Sequence, residues 1–175
     1  MVGPGQVDPA DAHHLLHAEA VGAGIARRGA ALVCGGLGGV MEAACRGAAG
    51  AGGLTVGLLP GEDRGAANPY VRLPVATGLG ELRNALVVRT SDVLIAVGGA
   101  YGTLSEVALA LRMGVVVVGL GSWGLLRPDG TPDMGMLLVG DPEEALRCAF
   151  GAVEGNPGGS PRGEAGGGEA NIPVP

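Results

Sequence analysis

The sequence predicts an α/β fold, a doubly wound and mostly parallel sheet with helices on both faces. Three observations carry this expectation. Short apolar runs alternate along the chain with Ala- and Leu-rich segments of helical period, the pattern of repeated strand-helix units. The apolar runs, such as Val93-Leu94-Ile95-Ala96-Val97, are continuous and not alternating, as strands covered on both faces must be. Two of them lead through a glycine turn straight into a helical segment, at 34–42 and again at 98–106.

The elements follow in order. Asp8 precedes a helical pattern in which Leu15, Leu16, Ala18, Val21, Ile25 and Ala26 form an apolar stripe at spacings of three and four. Arg28-Gly29 ends this first helix. Residues 30–34 read as a strand, 40–49 as a helix, and 54–60 as a second strand that stops at Pro60-Gly61. A polar loop spans 61–69 and a short strand 71–74. A helix over 79–90, a strand over 93–97, a helix over 103–113 and a strand over 115–119 complete the regular part. At the start, Met1-Val2 runs directly into Gly3-Pro4-Gly5, which looks like the phosphate-side turn that follows a complete first strand. Most of that strand is therefore expected upstream of Met1, the alternative being a two-residue stub in the middle of the sheet. Residues 1–150 are expected to form a single ligand-binding domain. From 151 to 175 Gly, Pro, Ser and Glu dominate, too little apolar surface to order a segment, so a disordered tail is expected.

Composition excludes several functions. A net charge of −6 and 2% aromatic residues argue against a nucleic-acid partner, which calls for a basic face or stacking platforms. All 11 basic residues are Arg, so neither a Schiff-base lysine nor a P-loop lysine exists. The most apolar stretch, 115–126, is interrupted by Gly119, Gly121, Ser122 and Gly124 and cannot span a membrane. No basic segment followed by an apolar one opens the chain, which favours the cytoplasm. Cys34, Cys45 and Cys148 are too few and too irregular for a disulfide framework or a zinc site, and read as small buried apolar residues. His13, His14 and His17 lack Cys or acidic partners, so no metal site is expected.

The glycine turns carry the chemistry. A turn without bulky side chains lets a phosphate reach the free N–H groups of a helix's first turn, where the peptide dipoles also favour negative charge. Gly35, Gly36, Gly38, Gly39, Gly99, Gly102 and Thr103 are therefore the candidate phosphate-binding residues, Thr103 adding a hydroxyl. Glu106, one turn further on, can reach a ribose hydroxyl or cap the helix, and Tyr101 can stack on a base or pack at the helix start. No cofactor is required; the expected partner is a small phosphorylated molecule.

Taken together and in this order, the Gly-Gly-Leu-Gly-Gly-Val-Met-Glu-Ala run at 35–43, the Arg83-Asn84 pair and Gly-Gly-Ala-Tyr-Gly-Thr-Leu-Ser-Glu at 98–106 resemble a Rossmann-like superfamily. It includes the Lonely-Guy phosphoribohydrolases and the molybdenum cofactor carrier proteins, and the resemblance covers about residues 1–150. In the phosphoribohydrolase branch, an Arg on the helix before the Gly-Thr motif and a Glu within it cleave the N-glycosidic bond of nucleoside 5′-monophosphates. Position by position these fall on Arg83 and Glu106, which the resemblance makes catalytic if the chain is a hydrolase. The chain departs from that branch with Gly98 for the Pro that opens the motif, Ala100 for its second Gly, Ser105 for its first Glu, and Gly80-Glu81 for Met-His before the arginine. These residues match the carrier-like branch better. The resemblance thus implies a protein that binds a nucleotide monophosphate or a molybdopterin-type ligand, with hydrolysis as the alternative. Lysine decarboxylation with pyridoxal phosphate, a label this superfamily often bears, is contradicted by the missing lysine. Segments 79–90 and 104–113 carry apolar residues on more than one side, so a homo-oligomer paired across a two-fold axis is expected, as in related families.

Overall fold

Asp8 caps a 3-10 turn, Pro9–Asp11, that leads into the first helix: its carboxylate accepts a hydrogen bond from the Ala10 amide at 2.9 Å, while the α-helix itself starts at His13 without a side-chain cap. The computed structural model describes residues 1–155, and the remainder of the expected tail lies outside the described residues. The elements are α1 (His13–Arg27), β1 (Leu32–Cys34), α2 (Val40–Gly50), β2 (Thr55–Leu59), β3 (Leu73–Ala76), α3 (Asn84–Arg89), β4 (Val93–Val97), α4 (Tyr101–Arg112), β5 (Val116–Leu120), β6 (Met136–Val139) and α5 (Pro142–Glu154). All strand pairings are parallel, in two three-stranded groups, β1-β2-β3 and β4-β5-β6.

Val2 joins the two groups. Its amide donates to Ile95 O at 2.9 Å, and the Val97 amide donates to Val2 O at 3.0 Å. The amino group of Met1 donates to Val33 O on the other side at 2.7 Å. The order across the sheet is therefore β3-β2-β1, then Met1-Val2, then β4-β5-β6, and it reverses at this two-residue centre. A doubly wound sheet opens a crevice at the carboxyl ends of its strands where the order reverses.

Apolar cores lie on both faces, as continuous apolar strands require. One is formed by α1, α2 and α5 over Cys34, Ile95, Val97 and Val118, the other by α3 and α4 over Leu94, Ala96 and Val117. The first core is unusually tight. A Cβ at Gly22 of α1 would collide with the Ala44 carbonyl, and one at Gly47 of α2 with the Glu19 carbonyl. These two helices touch backbone to backbone, which only glycine permits at the crossing.

The structure differs from the sequence expectation in the helix over 79–90 and at the C-terminal end. The helix expected over 79–90 is a 3-10 turn, Gly80–Arg83, followed by the short α3, because Gly78 and Gly80 take φ of +64° and +55° and cannot start an α-helix. β6 and α5 were not anticipated. The signal for α5 is plain: Asp141 accepts from the Glu144 amide at 2.8 Å, Glu144 returns a bond to the Gly140 amide at 3.1 Å, and Pro142 opens the helix. α5 also runs four residues into the segment expected to be disordered from 151.

Candidate functional site

At the sheet's central reversal, a cavity of about 240 Å³ is lined by the turn Gly3-Pro4-Gly5, by Gly35, Leu37 and Met41 at the start of α2, by Arg83 and Asn84, and by Ala100, Gly102, Thr103 and Glu106 of α4. Strands β1 and β4 and the Met1-Val2 stub all end here. An apolar pocket of about 140 Å³ lies at the opposite, amino edge, between Leu32-Val33 and Val93, away from every glycine turn.

The α4 end supplies free amides. Leu104 is the first residue whose amide is used, donating to Ala100 O at 2.9 Å, so those of Tyr101, Gly102 and Thr103 have no partner within the helix. Thr103 is buried and Gly102 exposed, and a side chain added at Gly102 meets nothing within 4 Å. Gly102→Val is therefore expected to leave the far-ultraviolet circular dichroism intact while filling the space a phosphate would occupy. Calorimetry should show no AMP binding; wild-type affinity in a folded Gly102→Val protein would move the anion elsewhere.

The glycines at 35–39 do other work. Gly35 alone among them lines the cavity, and a Cβ there would lie 2.5 Å from both terminal nitrogens of Arg83. Gly36 (φ +74°) packs on the Gly57 backbone, a Cβ falling 2.9 Å from its Cα, and Gly39 (φ +62°) faces the Pro4 carbonyl at a distance no side chain permits. The Val40 amide, the first of α2, donates to that same carbonyl at 3.0 Å. The second helix start is thus partly occupied by the protein's own chain. Gly38 faces Gly5 O, and Gly99 lies under the Trp123 ring, so neither borders the cavity. Asn68 holds the turn from behind: its amide bonds Gly36 O at 2.9 Å and its side chain donates to Leu37 O at 2.9 Å.

Arg83 is the centre of the charge. The 3-10 turn carries it inward, to 8% exposure, where an expected helix surface would have left it in water. Its Nε has no hydrogen-bond partner, and its Nη1 stands 4.0 Å from Oε1 of Glu106, too long for a hydrogen bond. Glu106 is 6% exposed; burial pushes its carboxyl up to about 7, against the opposing pull of Arg83. Behind them, Cys34 and Cys45 are fully buried with sulfurs 3.5 Å apart, and the Gly36 amide donates to the Cys34 sulfur at 3.3 Å. The bond from Cys45 and that amide bring the Cys34 thiol down to about 7.

The structure thus brings together Arg83, Glu106, Gly35, Gly102 and Thr103, and leaves Gly36, Gly38, Gly39 and Gly99 around them. Sequence reasoning had read Gly3-Pro4-Gly5 as a phosphate-side turn without naming site residues in it, and had not placed Met41 or Asn84 at the site. Among the described residues no group of His, Cys, Asp and Glu could hold a metal ion, and no helix is long and apolar enough to cross a membrane.

The sequence profile of the SLOG cluster4 family matches residues 1–146. The chain belongs to this family. An uncharacterized protein of Archaeoglobus fulgidus is 42% identical over 135 residues, 77% of this chain and 84% of that protein. Among solved structures, the molybdenum cofactor binding protein of Rippkaea orientalis is 37% identical, with a TM-score of 0.74, covering 86% of this chain and 93% of its own. The molybdenum cofactor carrier protein of Chlamydomonas reinhardtii is 35% identical, with a TM-score of 0.74, covering 87% and 95%. These similarities extend over most of the chain, and the two solved proteins share its fold.

Proposed function

We propose that this chain is a cytoplasmic binding protein for a phosphorylated pterin-type or nucleotide-type ligand, in the manner of a molybdenum cofactor carrier. One observation carries the reading. A buried guanidinium with an unpartnered Nε stands 4.0 Å from its facing carboxyl, too far for a hydrogen bond, and burial disfavours that carboxyl's ionisation, so the guanidinium lacks a full counter-charge. An unpaired buried charge is costly, and a phosphate at the end of α4 would supply the missing anion with charge-assisted hydrogen bonds. The carrier proteins of similar structure support the ligand class.

A second reading has its own support. A carboxyl at about 7 is poised to give or take a proton at neutral pH, as cleavage of an N-glycosidic bond requires. Incubation with AMP and an N6-modified AMP, followed by chromatography, separates the two. The carrier reading expects saturable binding with no free base; base release that disappears in Glu106→Gln would establish the hydrolase instead.

We further propose a homo-oligomer. Leu79 and Leu82, beside the cavity on the 3-10 turn and its N-cap, remain 46% and 78% exposed after α3 and α4 have packed on each other. These two leucines, three residues apart, form an exposed apolar edge that a second copy of the chain would cover. Light scattering at micromolar concentration should give at least a dimer mass, and a monomer mass would remove the idea.

A further inference from the structure

We propose that Tyr101 and Trp123 form the shelf on which the planar ring system of the ligand lies, a subsite that rests on the anion-site reading given above. The chain has four aromatic side chains, one Trp, two Tyr and one Phe. Tyr70 and Phe150 pack against the core beneath α1, α2 and α5, as side chains with large apolar area normally do. The other two stand together at the start of α4, next to Ala100 and Gly102 of the cavity lining and outside that lining themselves.

Tyr101 is the first residue of α4 and is 83% exposed. It is nonetheless placed: its ring centroid lies 5.9 Å from that of Trp123 with the planes tilted by 32°, within the range of a favourable aromatic pair. Trp123 is fixed in turn, because its Nε1 donates to Ala100 O at 3.3 Å. The ring also lies on Gly99, where an added Cβ would come within 3.0 Å of Nε1. This gives Gly99 a reason to be glycine that does not involve touching a phosphate.

The shelf and the anion cavity share a wall. Ala100, whose carbonyl holds the indole, lines the cavity together with Gly102 and Thr103, the residues that follow Tyr101. A ligand whose phosphate sits on the free amides of α4 has Tyr101, the residue between Ala100 and Gly102, within reach of its remaining atoms. The rings cannot take a third between them: 5.9 Å is less than the roughly 7 Å that two van der Waals contacts of about 3.5 Å require. The ligand ring stacks on the outer, solvent-facing side of Tyr101. The chemistry selected is a flat fused heterocycle joined to a phosphate, which a purine nucleotide and a pterin phosphate both present.

Three phosphates test this on the full chain: AMP, neopterin monophosphate and ribose 5-phosphate, the last lacking a ring system. Affinities come from calorimetry on wild type, Tyr101→Ala and Tyr101→Phe, and Trp123, the one Trp of the sequence, reports ring proximity by its fluorescence. Base stacking on an aromatic side chain is worth about tenfold in affinity at an open site. Wild type should bind at least one heterocyclic phosphate about tenfold more tightly than ribose 5-phosphate. Tyr101→Ala should remove that preference and leave ribose 5-phosphate unchanged, while Tyr101→Phe retains it. Equal weakening of all three phosphates by Tyr101→Ala, or weakening of none, overturns the shelf while the anion site stands. Unchanged affinities with a smaller mass of Tyr101→Ala in light scattering assign the ring to a subunit contact, and also overturn it. If ribose 5-phosphate and inorganic phosphate fail to bind as well, the anion-site reading falls and the shelf with it.

Discussion

Replacing Arg83 with Ala is expected to cost a phosphorylated ligand roughly ten- to a hundredfold in affinity, the worth of one charge-assisted partner of about 1.5–3 kcal/mol. The protein carries a net charge of −6, so no long-range attraction draws an anion to it, and binding must come from local donors. The free amides of α4 are one set, and the Arg83 fork is the other. Adenosine, which lacks the phosphate, should lose little. Calorimetric titration of wild type and Arg83→Ala with AMP and with adenosine decides between contacts: equal weakening of both would place Arg83 on the base, and no change in either would show that the cavity is not the site. Removing Arg83 also strands Glu106, 4.0 Å away, without its cation. The double variant Arg83→Ala/Glu106→Gln separates that structural cost from the lost ligand contact. Arg83→Lys should recover only part of the affinity, because an ammonium keeps the charge and loses the planar fork.

Much of this arrangement could be read before any coordinates. Continuous apolar runs such as 93–97 declared a sheet covered on both faces, and β4 has those bounds. The glycine turn into α4 was visible as a motif, and Arg83 and Glu106 were singled out by the family resemblance, each for a separate role and not as a pair. What escaped was what the glycines at 35–39 are for. A glycine needed for phosphate approach and a glycine needed because Pro4 or Gly57 lies against it look the same in sequence, and only the packing of the 3–5 turn and of β2 separates them. The glycines of the helices posed the same problem: Gly22 and Gly47 sit in helical segments at a cost in propensity, and the close crossing of α1 and α2 explains them. Trp123 escaped for a different reason. It lies more than twenty residues from the turn it pins, in a stretch without periodicity, and nothing local connects it to Ala100. By contrast, the Asp141-Pro142-Glu143-Glu144 cap of α5 was legible and unread.

Glu106→Gln is expected to change how the free protein's stability depends on pH. In the folded protein the carboxyl has been raised from its ordinary 4.5 to about 7, chiefly by burial, so between these values the folded state holds a proton that the unfolded chain has released. Stability from this group therefore falls as pH rises from 4.5 to about 7, and above that the folded protein bears the full cost of a buried carboxylate. Across that window the linkage amounts to roughly 3 kcal/mol, at about 1.4 kcal/mol for each pH step. The groups facing Glu106 are Arg83 and the Met1 amine, which favour its ionisation, and Cys34, which opposes it. All three remain in Glu106→Gln, as do the histidines of α1. The difference between the two proteins reports the glutamate together with its coupling to these groups. Urea unfolding at pH 5 and pH 8 should show the wild type losing roughly 2–3 kcal/mol more than the variant on going to the higher pH. The same change in both proteins would mean that Glu106 is ionised throughout. In that case Arg83 would face a full carboxylate, and the case for an anion in the cavity would rest on the amides of α4 alone.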